Sequence, residues 1–569
     1  MTQKTDLKVT KPENGVSPLA PNGRAADADA ARRTHDQTQQ EQQNETNAGV
    51  ARATGVVAAG NIASRVLGLA REIALTNLFG ASVQVDAFNI AVIVPKAFYD
   101  LLIGGHVNSA LVPVLSDAAS NEDDTDKRDF WQLVSVLMSF VSVVVAGLVF
   151  LLWWFAPQVV QVVAGDRSAE TLVIAADLLR LTGIALWFLS LFAVLSGTLY
   201  ALRSFTWPAF AGATFNAAIV GVTIAFAPQI GIRAAALGWL IGAFAQFALQ
   251  LPGLRGSRLR FTLDWNHPGL RQIALLYAPV LFSLLIDTLV IRLLSYRLAN
   301  SVGEGSISYM NWATTLIQFP HGLVATAISI AILPTLSRQA ASVVRGVASD
   351  AAAFKDTLGL GLRLAIVLIL PATVGLFVLG TPIVDLLFEH GAFTAEDTTI
   401  TVIALRLYLL GLPFAALDLL LIYAFYAQQD TFTPAVIGLL SLTLYMVVAL
   451  ALMPTTGLYS LMIADSVKHL VHACVSGYLL TRRLNGLGNQ RLITTALRAS
   501  AAALVMGLVG WWVLPPLASL AGGSLLGEIG LVMLSGSICG VAFVGMALLL
   551  QLEELRWLAG SVLRRVGLR

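Results

Sequence analysis

Stretches long and apolar enough to cross ~30 Å of hydrocarbon as helices recur fourteen times in this chain. They lie roughly over 55–78, 87–112, 131–154, 172–200, 208–228, 233–251, 272–297, 307–335, 358–380, 399–424, 434–453, 457–480, 496–518 and 527–550. No other feature constrains the fold as much, because a bilayer offers no water to backbone donors and acceptors and admits only helices or a closed barrel. Of the 569 residues 56% are hydrophobic and only 12% charged, with a mean hydropathy of +0.75, whereas soluble domains carry about 25% charge. The reading is an all-α polytopic membrane protein. Its formal net charge of +2 says little, since charges in such a chain sort by loop. No basic motif or fold signature points to nucleic acid.

An even number of spans puts both termini on one side, and the cationic loops decide which. Arg255, Arg258, Arg260 and Arg271 follow span six, Arg338, Arg345 and Lys355 follow span eight, and Arg482, Arg483 and Arg491 follow span twelve. Alternate loops hold little beyond Arg167 and Arg233, so both termini are expected in the cytoplasm. The first fifty residues are polar and almost free of aromatics, a composition that favours disorder, and they lack the apolar core of a signal peptide. Cys474 and Cys539 both sit in apolar runs, where a thiol behaves as a small hydrophobe; no disulfide is expected.

The chain also repeats itself. LYALRSFTWPA at Leu199–Ala209 returns as FYAQQDTFTPA at Phe425–Ala435, and ALVPVLSDAAS at Ala110–Ser120 returns as AILPTLSRQAA at Ala331–Ala341. The offsets, 226 and 221 residues, each cover six spans, so the halves share orientation and are related by an axis along the membrane normal. The expected division is a tail at 1–50, a first lobe at 51–252, a linker at 253–271, a second lobe at 272–484, two appended helices at 485–552 and a tail at 553–569. A ligand would lie between the lobes near mid-membrane. Prolines at 95, 113, 320, 334, 371 and 413 each remove a backbone hydrogen bond and permit a kink.

Residues Asn61 to Pro113 carry Arg65, Arg71, Glu72, Asp86, Lys96, Asp100 and His106 inside two apolar spans. An ionised side chain at the bilayer centre costs roughly 2.5–3.5 kcal/mol on insertion scales, so these charges imply a wet cavity between the lobes. Helical spacing puts Arg65 and Glu72 on one face and turns Arg71 about 120° away, which favours an Arg65–Glu72 pair and leaves Arg71 for a ligand. Asp287 and Arg292 on span seven are too far round a helix to pair with each other. On span twelve Asp465, Lys468, His469 and His472 share one face. They form either a protonatable network, since histidine titrates near neutrality, or a buried Asp465–Lys468 pair that locks the second lobe; a metal site there lacks a visible fourth ligand. The loop EHGAFTAED at Glu389–Asp397 is either a gate or a surface turn. Phosphate-loop and GxSxG signatures are absent.

Five segments in order, SRVLGLAREI (Ser64–Ile73), FGASVQVDAFNIA (Phe79–Ala91), LFEHGAFTAEDT (Leu387–Thr398), ALRLYLLGLP (Ala404–Pro413) and AFYAQQDTFTP (Ala424–Pro434), resemble the MurJ (MviN) family. Those proteins are lipid II flippases of the multidrug/oligosaccharidyl-lipid/polysaccharide exporter superfamily. The resemblance implies two six-helix lobes about a central cavity, two extra helices that would hold a polyprenyl tail, residence in the cytoplasmic (inner) membrane, and a role in cell-wall precursor transport. It further implies that Arg65, Arg71 and Asp86 are cavity residues. The chain departs from the family at Lys96–Asp100, where paired arginines are usual, and at Thr315, where an arginine is usual; Lys96, Arg292 and Arg297 are the candidate replacements.

The expected substrate contacts are thus Arg65, Arg71, Asp86, Lys96 and Arg292, and the expected coupling or gating residues are Glu72, Asp287, Asp465, His469 and His472. No catalytic residue and no resident cofactor is expected. Some relatives hold sodium in the second lobe, which makes a cation at Asp287 conceivable, although span eleven offers Tyr445 and Ala449 where partners would stand. The leading function is inward-to-outward movement of lipid II by alternating access, driven by membrane potential or an ion gradient. Three alternatives stay open. They are a flippase for another polyprenyl-linked oligosaccharide, a small-cation antiporter, and a non-transporting scaffold that recruits cell-wall synthesis enzymes.

Overall fold

A computed structural model of the chain describes residues 55–103, 106–119, 127–165, 167–275, 293–303, 305–344 and 348–555. The regular elements among the described residues are all helices, with no strand. In the first half the helices are α1 (55–79), α2 (Val83–Ile103), α3 (His106–Ala119), α4 (Arg128–Trp154), α5 (Ala156–Ala164), α6 (Ala169–Ala201), α7 (Ala211–Ile230) and α8 (Arg233–Ala248). In the second half they are α9 (268–275), α10 (Leu293–Val302), α11 (Ser306–Pro320), α12 (Ala327–Val344), α13 (Ala348–Phe388), α14 (Ala395–Leu409), α15 (Leu412–Ala427), α16 (Phe432–Thr456) and α17 (Tyr459–Arg483). The chain closes with α18 (Leu492–Ala521) and α19 (Leu525–Leu549).

Among the described residues nine helices are long and apolar enough to cross a membrane, or ten if α14 and α15, bent by 43°, count as one broken span. The rest of the fourteen expected spans explain themselves chemically. Helix α1 carries Arg65, Arg71 and Glu72; α2 carries Asp86, Lys96 and Asp100; α17 carries Asp465, Lys468 and three polar neighbours of imidazole or hydroxyl type. Span seven runs through 276–292, outside the described residues. The helices that fall short of full apolarity are therefore those that carry the charges of the candidate site.

The two halves are the same unit twice. Arg203 and Gln429, 226 positions apart, both take a left-handed conformation (φ 58° and 61°) just past a helix end. Behind them Ser204 N–H donates to Leu199 O at 2.8 Å, and Asp430 N–H donates to Phe425 O at 3.0 Å, the helix-ending pattern in which a left-handed residue lets the chain return to its last open carbonyls. The same offset relates Pro228 and Gly231 to Pro454 and Gly457. Gly231 N–H donates to Ala227 O at 2.9 Å and Gly457 N–H to Met453 O at 3.0 Å.

Helix α6 is the axis of the first lobe, packed on by α2, α3, α4, α5 and α8, and its most apolar stretch is 72% buried. In the second lobe α13 contacts α12, α14 and α15, while α17 contacts α14, α15 and α16. Helices α18 and α19 pack on each other and on α13, leaving Trp511, Trp512 and Leu526 exposed as a lipid-facing hydrocarbon surface.

One boundary differs from the sequence expectation. Residues 87–112, read as one span, divide between α2 and α3. In the second lobe the corresponding step is a π-helical turn, His321–Thr326, between α11 and α12; the 221-residue offset sets that turn against 100–105. The linker at 253–271 does not hang free: Arg260 N–H donates to Ser135 Oγ and Thr262 N–H to Ser139 Oγ, both at 3.0 Å, and Trp265 meets Phe140 edge-on at 5.2 Å. Two serines one turn apart on α4 thus supply acceptors that an extended strand of chain needs.

Candidate functional site

The lobes meet firmly at one end of the bundle. There Asp86, fully buried on α2, accepts from Gly305 N–H at 2.7 Å, from Ser308 Oγ at 3.0 Å and from Arg167 Nη2 at 3.2 Å. Gly305 is the N-cap of α11, so a carboxylate from one lobe caps a helix of the other, where unsatisfied N–H groups and the helix dipole favour negative charge. Arg167 also donates to Gly303 O at 2.6 Å. Asn89 adds a bond to Ser308 Oγ at 3.1 Å.

The EHGAFTAED loop closes the same end. Ala392 N–H donates to Asn77 O at 2.9 Å. Gly391 (φ +64°) and Gly80 (φ +57°) lie so close to the backbone of Asn77 and of Ala392 that a Cβ on either would overlap it. Glycine is required at both places for space and for the left-handed backbone. Thr394 and Asp397 form a capping box at the start of α14, and Tyr309 Oη donates to Asp397, which ties the loop to α11. Of the two readings of this segment, gate or surface turn, the contacts are those of a lobe-to-lobe seal.

Deeper in α1 the expected pairing is exchanged. Arg71, not Arg65, holds Glu72: its Nε donates to Glu72 Oε1 at 3.2 Å and its Nη1 to Asn216 Oδ1 at 3.1 Å. Asn216 in turn donates to Ser64 O at 3.2 Å and to Gly212 O at 3.0 Å. A long guanidinium arm can fold back onto its sequence neighbour, and the α7 asparagine completes its donors; helical spacing alone does not anticipate either. Arg65 instead reaches the other lobe, where Nη1 donates to the backbone carbonyl of Gln318 at 2.8 Å. Its guanidinium occupies the space that a side chain at Gly322 would fill. Gln318 stands at the entry to the π-turn, so an irregular stretch of backbone faces a cation at the lobe boundary.

The face of α17 is arranged as its spacing predicts. Lys468 and His469 both approach Asp465, and the Lys468 ammonium lies 5.8 Å from the centre of the Tyr445 ring. His472 contacts a residue that sequence reasoning passed over, Asp418 of α15. The signal was a single carboxylate in the apolar run LPFAALDLLLIYAFYA. Arg167, Asn216 and His321 were likewise missed as site residues. Lys96 is exposed on α2, while Asp287 and Arg292 lie outside the described residues. No group of three His, Cys, Asp or Glu side chains among the described residues is placed to hold a metal. A cavity of about 730 Å³ opens within the first lobe, lined by Ser116, Asp117, Lys127, Tyr200 and Arg203; it contains none of the expected site residues.

The chain matches the family model described as lipid II flippase MurJ over residues 75–526. It is 29% identical over 476 residues to a Burkholderia cenocepacia protein named lipid II flippase MurJ, covering 81% of this chain and 89% of that one. A Haemophilus influenzae protein named probable lipid II flippase MurJ is 30% identical over 471 residues, with 79% and 90% covered. Among solved structures, lipid II flippase MurJ in an inward closed conformation superposes with a TM-score of 0.70 at 24% identity, covering 86% of this chain and 98% of the other. An inward-facing multidrug resistance MATE family transporter of the MOP superfamily gives 0.60 at 15% identity, with 75% and 96% covered. The doubled helical unit, the charged α1 and α2, and a family match across most of the sequence agree: this multi-pass membrane protein belongs to the lipid II flippase MurJ family.

Proposed function

We propose that the protein carries lipid II from the inner to the outer leaflet of the cytoplasmic membrane by alternating access of its two lobes. The observation that carries this reading is Arg65, a permanent cation at the lobe boundary whose hydrogen bond goes to a neutral carbonyl, below an end that is sealed by Asp86 and the 389–397 loop. A pyrophosphate entering from the open side meets a guanidinium able to offer two parallel donors. Exchange of the Gln318 carbonyl for phosphate oxygens replaces a neutral acceptor with a charged one. Lys96 is a second cation on the adjoining helix. The distribution of Lys and Arg among the loops favours cytoplasmic termini, which makes the sealed end the outer one. Each charge moved through the membrane potential gains about 2.3 kcal/mol per 100 mV, enough to bias a two-state carrier.

The test measures lipid II accessible at the outer leaflet in cells depleted of the protein and of redundant flippases. Accessibility is expected to collapse and to return with the intact chain. Gly322→Val, which displaces the Arg65 guanidinium while leaving helix caps and lobe cores untouched, is expected to accumulate normally and restore about a tenth of the signal or less. That equals the loss of one hydrogen bond to a charged group, roughly 1.5–3 kcal/mol. Unchanged accessibility on depletion would overturn the assignment.

A further inference from the structure

We propose that His472 and Asp418 form a proton-binding site in the second lobe, whose charge state governs how firmly Arg65 bridges the two lobes. The inference rests on the transport reading above and adds a coupling site to it. His472 Nδ1 and Asp418 Oδ1 are in hydrogen-bond contact, with Ser476 Oγ 3.3 Å from the same nitrogen. The two residues are only 9% and 6% exposed. No arginine or lysine is in hydrogen-bond contact with this pair among the described residues, in contrast to Asp465, which has Lys468, and Asp430, which has Arg483. The net charge of the pair is therefore set by protons. Binding one proton converts a carboxylate beside a neutral imidazole, net −1, into a carboxylate beside an imidazolium, net 0.

A route and a lever accompany the pair. Asp465, His469 and His472 lie on one face of α17, and the side chains of the first two are 28% and 30% exposed while the third is buried, so protonatable groups run from accessible space to the enclosed pair. On the other side stands His321, at the head of the π-turn, which packs against α15, the helix that carries Asp418. Arg65 hydrogen-bonds to the carbonyl of Gln318, three residues before it. Helix α16 contributes Tyr445, under Lys468, and Gly438, which faces His472 Nε2. Helix α15 contributes Tyr423 and Tyr426, and α14 contributes the Leu407 and Tyr408 carbonyls, both bonded to Ser466. With the proton absent, the negative pair behind His321 favours the guanidinium at its π-turn seat; with the proton bound that attraction vanishes. Acid is thus expected to loosen the Arg65 bridge.

The experiment uses the full chain in lipid nanodiscs, in a Cys474→Ser background. Spin labels sit at Thr206→Cys and Phe432→Cys, exposed positions equivalent in the two halves and remote from the sealed end. The distance distribution between labels, measured from pH 5 to 8, is expected to shift toward longer separations as pH falls. Asp418→Asn is expected to abolish the shift. Should that variant fail to fold, His472→Gln, which keeps a polar side chain in place, is expected to give the same loss. A distribution insensitive to pH in the parent, or a shift retained in either folded variant, overturns the proposal. The readout involves no lipid II. A pH-insensitive chain that still exposes lipid II in depleted cells therefore removes the proton site alone, and a pH-responsive chain that exposes none removes the proposed substrate alone.

Discussion

Replacing Asp86 with alanine is expected to release the lobes from one another at their sealed end. The carboxylate is fully buried and accepts three hydrogen bonds from Arg167, Gly305 and Ser308. Its removal takes a buried carboxylate away from the Arg167 guanidinium and from the N-terminus of α11. Removing one partner of a buried charge pair costs about 3–5 kcal/mol. Local opening should rise in proportion, so amide exchange at 305–309 is expected to accelerate at least about a hundredfold while exchange in the core of α6 stays as it was. Asp86→Asn, which preserves shape and one acceptor, is expected to fall between. If the 305–309 amides exchange at the parent rate in Asp86→Ala, the carboxylate does not latch the lobes.

Gly391→Val is expected to abolish transport for a different reason. A Cβ there overlaps the backbone of Asn77, and φ is +64°, a region that costs an L-residue roughly 1–2 kcal/mol and a β-branched one more. Strain and lost contact are separable because Gly523 has nearly the same φ, +65°, with nothing within 4 Å of its would-be Cβ. Gly523→Val is expected to transport at close to the parent rate, and Gly391→Val at under a tenth of it, with both proteins present in the membrane at equal abundance. Equal losses in the two variants would assign the effect to backbone strain and not to the seal.

Both variants concern contacts that sequence reasoning reached unevenly. The helices, the doubled unit and the charged pair α1–α2 are legible because hydropathy acts locally and because repeats survive as matched turns. The 226-residue offset found in two short strings reappears as two left-handed residues and two Pro–Gly helix ends. Pairing is less legible. Spacing puts Arg65 near Glu72, yet Arg71 wins through its reach to an adjacent side chain and to Asn216, a partner 145 residues away. Asp86 reads as a cavity residue because it is an acid in an apolar span, but its energetics are decided by Arg167, Gly305 and Ser308, which no motif marks as its partners. Asp418 was visible as an isolated acid and became meaningful only when α15 brought it to His472. In each case the missing information is which helix packs against which, and at what height.

Alternating access requires the sealed end to open during each transport cycle. Ala81 Cβ lies 3.3 Å from where a Cβ on Gly305 would stand, close to the ~3.5–4.5 Å between disulfide-linked Cβ atoms. The pair Ala81→Cys and Gly305→Cys, in a Cys474→Ser background, therefore locks the lobes on oxidation, with each singly substituted chain as control, Gly305→Cys for the strain at that position. Lipid II reaching the outer leaflet of proteoliposomes holding the oxidised pair is predicted to stop, and to resume on reduction at the rate of the singly substituted controls. Transport that continues unchanged with the disulfide formed would contradict alternating access through this end.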